Sequence, residues 1–289
     1  MKNKNIKIGV IGGSGLYDID GMQNIREFEI DTPFGKPSDK FVIGNLDGVE
    51  IAFLPRHGKG HFLMPTEVNF RANIYAMKSL GVETLISISA VGSLKKELAP
   101  ETLVVVDQFF DFTKHRKSTF FGDGIVAHVS MANPICEKLA DILYQSSQKL
   151  GIKSKKGGTY ICMEGPQFSS KAESLVYRQL GFDVIGMTNA TEAKLAKEAE
   201  MCYASLSFVT DYDCWHETEA PVTVEIVLQV LKENAENSKK ILKDSIFEIA
   251  NRQTDCNCKS SLQNTIITNP EKITAEIKNR MGIIIEKYV

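Results

Sequence analysis

The sequence carries almost no net charge and has no long apolar run, and these two shortages exclude several classes of protein. Its 34 basic and 36 acidic residues leave a formal charge of −2, with no long basic block. Nucleic acid and anionic membranes are therefore poor partners, and a small ligand is favoured. No stretch approaches the roughly 20 apolar residues of a membrane-spanning helix. The apolar run near the start ends at Gly12-Gly13, too early for a signal sequence, so we expect a cytoplasmic protein.

The sequence also lacks the complete nucleotide-binding motifs. Gly13-x-Gly15-x-x-Asp18 has no third glycine, which argues against a dinucleotide fold, and no Gly-Lys-Ser/Thr follows, which excludes a Walker loop. What remains is a buried strand, Ile6–Ile11, that leads into a glycine-rich turn with the Ser14 hydroxyl. Backbone amides in such a turn can surround an anion, so the segment is a candidate phosphate loop. A plain tight turn is the alternative.

Cysteine is present but not in a metal-binding pattern. The six cysteines stand at positions 136, 162, 202, 214, 256 and 258, and four of them lie in apolar or structured contexts typical of buried thiols. Cys256-Asn-Cys258 lies in a polar segment, where it predicts a disulfide, a redox pair or two ordinary thiols. One intervening residue is shorter than the usual zinc spacing, and no second pair follows, so we expect no metal site. Cys214 and His216 likewise lack metal-binding partners nearby.

Two carboxylates follow a buried strand and are the strongest candidates for chemistry. Ala204–Val209 has the apolar and β-branched content of a buried strand, and Asp211 and Asp213 come at or just past its end. Residues separated by one position project to the same side of an extended chain, so both can reach one flat ligand. A carboxyl group in a dry pocket can donate a proton while a hydrogen-bonded neighbour stays ionised. A purine needs a proton at N7 and an acceptor at its 6-amino group; a solvated turn is the alternative.

Other polar groups also stand at predicted strand ends. Val49–Leu54 leads into Arg56-His57, where the guanidinium fork and the imidazole suit phosphate, although a surface position would explain them equally well. His61 could add a further polar group from the same loop, with a loop histidine of no role as the alternative. Thr84–Ser89 is followed by a turn of small residues with hydroxyl groups, which includes Ser89. An anion site and a carboxylate site in one cleft suggest a reaction between phosphate and a group that leaves as a base.

The pattern of elements predicts an α/β layered fold in one domain. Strands alternate with helical patterns over Pro65–Gly81, Ile135–Leu150, Ser169–Leu180 and Val222–Ala250. We expect a domain over residues 1–250 and an extension over residues 251–289 that packs on it. The aromatic-rich segment Asp107–Asn133 predicts a lid or an interface, with core packing as the alternative.

Several motifs in order resemble one known family. They are Ile11-Gly-Gly-Ser-Gly-Leu16, Asp31-Thr-Pro-Phe-Gly-Lys-Pro-Ser-Asp39, Arg56-His-Gly58, Pro65-Thr-Glu-Val-Asn69, Glu164-Gly-Pro-Gln-Phe-Ser-Ser170, Ala172-Glu173, Met187-Thr188 and Thr210-Asp-Tyr-Asp-Cys-Trp215. Together they resemble the 5′-methylthioadenosine phosphorylase branch of the trimeric purine nucleoside phosphorylases, from Ile6 to about Ser238. The resemblance implies a central mixed β-sheet flanked by helices and phosphorolysis of 5′-methylthioadenosine, a salvage reaction, to adenine and 5-methylthioribose 1-phosphate.

The resemblance also assigns residues by matching position. The phosphate-binding residues would be Ser14, Arg56, His57, Ser89, Ala90 and Thr188. Ala90, Phe168 and Met187 would line the base site, Met187 would also contact the ribose, and His128 would reach in from a neighbouring subunit; a satisfied core histidine is the alternative. Asp211 would serve N7 and Asp213 the 6-amino group, while Val224, Val227 and Leu228 would form the methylthio slot. The family needs phosphate as co-substrate and no cofactor, and it implies a homotrimer or a dimer of trimers.

The sequence departs from the family at a few positions, and two alternative functions stay open. Gln167 stands where this branch often has arginine, and Ser14 and Ser89 replace frequent threonines but keep the hydroxyl. A 6-oxopurine or methylthioinosine phosphorylase is the alternative within the fold, although a keto group at C6 needs a donor and both candidate positions hold aspartate. A non-catalytic nucleotide-binding or redox protein, using the glycine turn and Cys256/Cys258, is the alternative outside it.

Overall fold

The fold is a mixed β-sheet with helices packed against it. A computed structural model describes residues 6–13, 20–216, 224–252 and 255–289, with the backbone alone for 224–228. Eleven strands lie among these residues: β1 (Ile8–Gly12), β2 (Gln23–Phe28), β3 (Phe41–Leu46), β4 (Val49–Pro55), β5 (Thr84–Ser93), β6 (Leu103–Val105), β7 (Gln108–Asp111), β8 (Ser154–Lys156), β9 (Thr159–Cys162), β10 (Val184–Gly186) and β11 (Cys202–Tyr212). The helices are α1 (Phe70–Ser79), α2 (Glu137–Lys149), α3 (Lys171–Gln179), α4 (Asn189–Glu198), α5 (Val224–Asn251) and α6 (Ala275–Met281). The predicted α/β fold with a mixed central sheet is confirmed.

Strand pairing brings four predicted ligand segments to one edge of the sheet. β1 pairs in parallel with β4 and β5, and β11 pairs in parallel with β5 along its whole length. The carboxyl ends of parallel strands meet at the same edge, where ligands bind in open α/β sheets. Gly12-Gly13 at the end of β1, Arg56-His57 after β4, the end of β5 and the two aspartates at the end of β11 therefore share that edge.

The first helix begins later than the sequence pattern predicts. The pattern covered Pro65–Gly81, but α1 starts at Phe70 because Asn69 caps it, its side chain accepting a hydrogen bond from the Ala72 amide at 3.2 Å. The same side chain donates to the Phe34 carbonyl at 2.8 Å, which ties the cap to a distant loop. A cap held by tertiary contacts therefore sets the first residue of the helix, although the apolar periodicity extends further towards the N-terminus.

The segment between β6 and α2 is partly packed in the core and partly exposed, and its role as a lid or an interface stays a prediction. Phe120 and Phe121 are buried in the main core, whereas Phe110 and Phe112 are 42% and 47% exposed. The interior therefore holds one part of the segment, and the other part remains at the surface.

The last 35 residues contribute to the core of the main sheet. Leu262, Ile273, Ile277, Met281 and Ile284 are buried in the same apolar cluster as β1, β5 and β11. In the described parts of the chain, no helix combines the length and apolar character needed to cross a membrane.

Candidate active site

The two aspartates at the end of β11 lie together over a glycine of β5. The pairing of β11 with β5 shifts by one residue between Val209 and Asp211, which places Asp211 opposite Gly92. A Cβ built on Gly92 would lie 3.5 Å from Asp211 Oδ1 and 3.6 Å from Asp213 Cβ. The bulge and the missing side chain at Gly92 thus let both carboxyl groups approach the central strand.

The two carboxyl groups have different surroundings. Asp211 is partly exposed, and its Oδ2 accepts a hydrogen bond from the Thr210 hydroxyl at 2.7 Å. Asp213 is only 9% exposed, and its Oδ2 is buried without a hydrogen-bond partner among the described residues. A buried carboxylate oxygen is costly to leave unpaired, so Asp213 is prepared for a donor that a ligand would bring.

An aromatic turn fixes the chain beyond the aspartates. The Trp215 indole N–H donates to the Ser93 carbonyl at 2.8 Å, and the Tyr212 hydroxyl donates to the Lys96 carbonyl at 3.0 Å. Tyr212 and His216 stack with ring centroids 4.6 Å apart, and the Cys214 thiol donates to the Ser169 carbonyl at 3.2 Å. Through these contacts, Cys214 and His216 pack against their neighbours and hold the acidic segment in place.

On the phosphate side, Asn189 connects the predicted hydroxyl groups. Its amide donates to Ser89 Oγ at 3.1 Å, and its side-chain oxygen accepts from the Thr188 hydroxyl at 2.9 Å. Ser89 and Thr188 are both buried, whereas the neighbouring Ala90 is exposed although it lies on the central strand. An exposed residue on a central strand marks an open cleft that reaches the sheet. Ser89 stands three residues before Gly92, so about 10 Å of strand separates the buried hydroxyl groups from the aspartates.

Arg56 is buried, although its position after a strand suggested that it faces a ligand or the solvent. Its guanidinium is 2% exposed and forms a bidentate pair with Glu192, at 2.5 Å from Nε and 3.1 Å from Nη2. Nη2 also donates to Ser87 at 2.7 Å, and Nη1 donates to the Ile88 carbonyl at 3.0 Å. Burial alone would lower the pKa of Arg56, but the Glu192 carboxylate raises it. The hydrogen-bond donors of the guanidinium are therefore occupied by protein groups. Any effect of Arg56 on a bound phosphate would come chiefly from electrostatic attraction rather than from direct hydrogen bonds.

His57 is oriented by contacts on two sides. Its Nδ1 lies 2.8 Å from the Leu63 carbonyl, which must accept, so Nδ1 carries the hydrogen. Its ring stacks on His61 with centroids 4.4 Å apart, so His61 has a packing role that the sequence did not suggest. Burial, together with the positive charge of Arg56, lowers the pKa of His57 to about 4. The imidazole is therefore neutral at pH 7, with Nε2 as an acceptor.

Two of the predicted base-site residues, Phe168 and Met187, lie on turns that Arg116 holds together. Arg116 donates from Nη1 to the Met187 carbonyl at 2.9 Å and from Nε to Glu164 at 2.9 Å. Burial would raise the pKa of Glu164, but the amides of Lys114 and His115 and the Arg116 guanidinium hold it at about 2. Met187 packs tightly against Gly165, whose φ of +70° suits glycine. Phe168 follows on the same loop and is 85% exposed.

Some predicted residues are not part of this group. His128 is exposed, not a core histidine, and lines a separate cavity of about 230 Å³ with Lys194 and Glu198. Ser14 and the side chains of Val224, Val227 and Leu228 lie outside the described residues. The phosphate, methylthio and cross-subunit roles of these residues stay predictions.

Sequence reasoning missed three residues that position the site, and it missed one cluster elsewhere. Asn189, Glu192 and Arg116 act on partners more than 45 residues away as well as on neighbours, so no local spacing identified them. The sequence of α4 gives no clear signal for Glu192, because six of the ten residues of this helix are polar. The cluster joins Cys136, Cys202, Cys256 and Cys258, whose sulfur atoms all lie within 4.8 Å of one another.

Comparisons with known proteins point to one group. The family model described as the phosphorylase superfamily matches residues 7–246. The S-methyl-5′-thioadenosine phosphorylase of Koribacter versatilis is 53% identical over 282 residues, which are 98% of this chain and 96% of that protein. A methylthioadenosine phosphorylase from an antarctic soil metagenomic library has a crystal structure that superposes with a TM-score of 0.93 at 48% identity, covering 97% of this chain and 99% of that one. A mutant adenosine/methylthioadenosine phosphorylase from Schistosoma mansoni, in complex with methylthioadenosine, superposes with a TM-score of 0.83 at 35% identity, covering 89% and 99%.

Proposed function

Because the chain belongs to the S-methyl-5′-thioadenosine phosphorylase family within the phosphorylase superfamily, we propose that it cleaves 5′-methylthioadenosine with phosphate. The products are adenine and 5-methylthioribose 1-phosphate. Family membership favours an enzyme over a non-catalytic nucleotide-binding or redox protein. The observation that carries the proposal is the aspartate pair over Gly92, in which Asp213 has a buried, unpartnered carboxylate oxygen.

The geometry gives each aspartate a separate task. The Thr210 hydroxyl donates to Oδ2 of Asp211, so Oδ1, above Gly92, is the oxygen that carries a proton to purine N7. Oδ2 of Asp213 accepts a hydrogen bond from the 6-amino group, which supplies the missing donor. A base with a keto group at C6 would bring an acceptor to this oxygen instead, which disfavours 6-oxopurine nucleosides.

The reaction then requires no cofactor. An oxygen of phosphate forms a bond to C1′ of the sugar as the bond from C1′ to N9 breaks, and the electron pair of that bond leaves on the purine. Asp211 neutralises the departing base by giving its proton to N7, while phosphate stabilises the positive sugar. Ser89, Thr188 and Asn189 supply polar groups on the phosphate side, and the Arg56 charge lies behind them.

The assembly and location of the protein are also proposals. We infer a homotrimer or a dimer of trimers, supported by the exposed His128, which by family likeness reaches a neighbouring active site. A small-molecule substrate and a cytoplasmic location agree with the charge balance of the sequence.

The direct test is an absorbance assay for the release of adenine from methylthioadenosine with and without phosphate. We expect turnover that requires phosphate, and Asp211→Ala should lower kcat by about 10²–10³-fold because the departing base is no longer protonated. Turnover without phosphate would indicate a hydrolase. Near-normal kcat in the folded variant would remove Asp211 as the acid.

A further inference from the structure

Four cysteines from three distant parts of the chain meet on the side of the sheet where β11 begins. Cys136 is the N-cap residue of α2, Cys202 is the first residue of β11, and Cys256 and Cys258 begin the C-terminal segment after α5. Their four sulfur atoms lie within 4.8 Å of one another, and those of Cys202 and Cys256 are 3.4 Å apart. All four thiols are free in the structure, and three of the residues are buried.

The distances fit the coordination sphere of one metal ion. Zinc binds thiolate at about 2.3 Å, so the sulfur atoms of a tetrahedral four-cysteine site lie about 3.8 Å apart. The observed sulfur separations reach that value by side-chain movements of under about 1 Å, without rearrangement of the backbone. A disulfide instead joins one pair of sulfurs at about 2.05 Å, whereas here every sulfur has the other three as neighbours.

Rigid backbone holds two of the ligand positions. The Cys136 amide donates to the Tyr203 carbonyl at 2.8 Å, and the Cys202 amide donates to the Glu83 carbonyl at 2.9 Å. Cys258 lies in a short 3₁₀ turn, Asn257–Ser260, and Cys256 precedes it in extended conformation. Two ligands are thus built into the core, and the other two come from one turn that closes over them.

Nearby positive charge suits a cluster of thiolates. Four thiolates around a divalent ion carry a net charge of −2, which is costly in a buried place unless cations lie nearby. Arg252 lies close enough to Cys136 for its charge to interact with that of a thiolate there, whereas Lys138, which is also near, already forms an ion pair with Asp255. Nη1 of Arg252 is buried without a hydrogen-bond partner among the described residues. A cluster of thiolates would compensate the buried positive charge of Arg252, whereas neutral thiols would not.

We propose that Cys136, Cys202, Cys256 and Cys258 bind one zinc ion. Soft thiolate ligands favour zinc among the common divalent ions, and four protein ligands leave no open position, so the site is structural. The ion fastens the start of the C-terminal segment to β11 and α2. The sequence did not reveal the site because its second pair of ligands stands on a helix and a strand 66 residues apart.

The first test is the metal content of the native full-length protein, purified in reducing buffer without chelator. We expect one zinc ion per chain by plasma mass spectrometry. Replacement of zinc by cobalt should give the thiolate-to-cobalt charge-transfer and d–d bands of a tetrahedral sulfur site. Protein that takes up no stoichiometric zinc or cobalt would overturn the proposal. Thiol titration and mass spectrometry would then show whether the four thiols are free or joined as disulfides, and either state counts against a zinc site.

Variants separate this cluster from the other cysteines. Cys256→Ser and Cys258→Ser, which leave the core ligands intact, should each lose the bound zinc on dialysis against a chelator that wild type withstands. Cys214→Ser is the control and should retain one ion, because Cys214 hydrogen-bonds to Ser169 and lies outside the cluster. Zinc retained equally by all three variants would contradict the assignment.

A stability measurement gives a readout independent of activity. Stripping zinc under reducing conditions should lower the Tm of wild type by about 5–10 °C, because a bound ion stabilises only the folded state. The same treatment should change the Tm of Cys258→Ser by much less. An unchanged wild-type Tm after complete removal of the metal would show that no ion supports the fold.

Discussion

At the scale of single side chains, the two aspartates of the proposed site differ in their surroundings. Asp211 and Asp213 are chemically identical, but one receives a hydroxyl hydrogen bond and the other has a buried oxygen with no partner among the described residues. Their roles therefore follow from their surroundings rather than from their residue type. Arg56 illustrates the same rule, since Glu192 converts a surface-type residue into a buried charge.

Asp213→Asn should move the preference of the enzyme towards 6-oxopurine nucleosides. The amide can donate to a keto oxygen, so kcat/KM for methylthioinosine relative to methylthioadenosine should rise by about 10–100-fold. Steady-state kinetics with both substrates measure the ratio. Asp211→Asn is the control and should slow both substrates alike, because N7 is common to both bases. An unchanged ratio in Asp213→Asn would remove this residue as the selector.

Glu192→Gln should strongly destabilise the protein. The substitution leaves the Arg56 charge buried without its counter-ion, which typically costs about 3–5 kcal/mol of unfolding free energy. Urea unfolding measures the loss. The control is Glu29→Gln, which removes an exposed pair with Lys40 and should cost about 0–1 kcal/mol. Equal losses in the two variants would contradict the argument from burial.

Two adjacent strands, β5 and β11, form the floor of the site. β5 carries Ser89 and Ala90, which we propose to bind phosphate, and Gly92 below the aspartates, while the bulge in β11 sets the position of Asp211. The sequence predicted two buried strands here that end in polar residues, whereas their parallel pairing comes from the structure. The bulge and the contact with Gly92 were not, because they depend on the register between strands more than 100 residues apart.

Gly92→Ala should impair catalysis more than folding. The new methyl group would lie 3.1 Å from Ile185 Cγ2 and 3.5 Å from Asp211 Oδ1, which neighbours can accommodate with small shifts. The methyl group would stand beside Asp211 Oδ1, where the base is proposed to bind, so kcat/KM should fall about tenfold or more, a loss of about 1.4 kcal/mol or more in transition-state stabilisation. The unfolding free energy should change by less than about 1 kcal/mol. A variant with full activity, or one whose activity loss matches its instability, would argue against this role for Gly92.

The whole chain is tied together by contacts between distant segments. Glu198, at the end of α4, accepts hydrogen bonds from the Thr119 hydroxyl at 2.6 Å and the Phe120 amide at 2.7 Å, which fasten the aromatic segment to the core. Burial raises the pKa of Glu198 from 4.5 to about 7. The stability that this group contributes is therefore complete below about pH 4.5 and is lost as the pH rises through 7.

Glu198→Gln should flatten the pH dependence of stability. A neutral amide avoids the cost of a buried charge, so at pH 8 the variant should be about 2–3 kcal/mol more stable than wild type, and near pH 4 the two should be similar. Urea unfolding from pH 4 to pH 8 provides the comparison. The exposed Glu97 offers a control, because Glu97→Gln should leave the wild-type pH profile unchanged. Parallel profiles for wild type and Glu198→Gln would show that Glu198 does not govern this range.

The sequence was enough for the alternation of the main strands and helices, the polar residues at several strand ends and the acidic pair, because each depends on residues close together in the chain. It did not reveal the short strands β7, β8 and β9, whose pairing partners lie in other parts of the chain. Its motifs also identified the family, since several long matches in order rarely arise by chance. Folding in three dimensions was needed to pair Arg56 with Glu192, to place Gly92 beneath the aspartates and to assemble the four cysteines. These features join residues separated by 54 to more than 100 positions. Such contacts depend on packing and strand register, which no local pattern specifies.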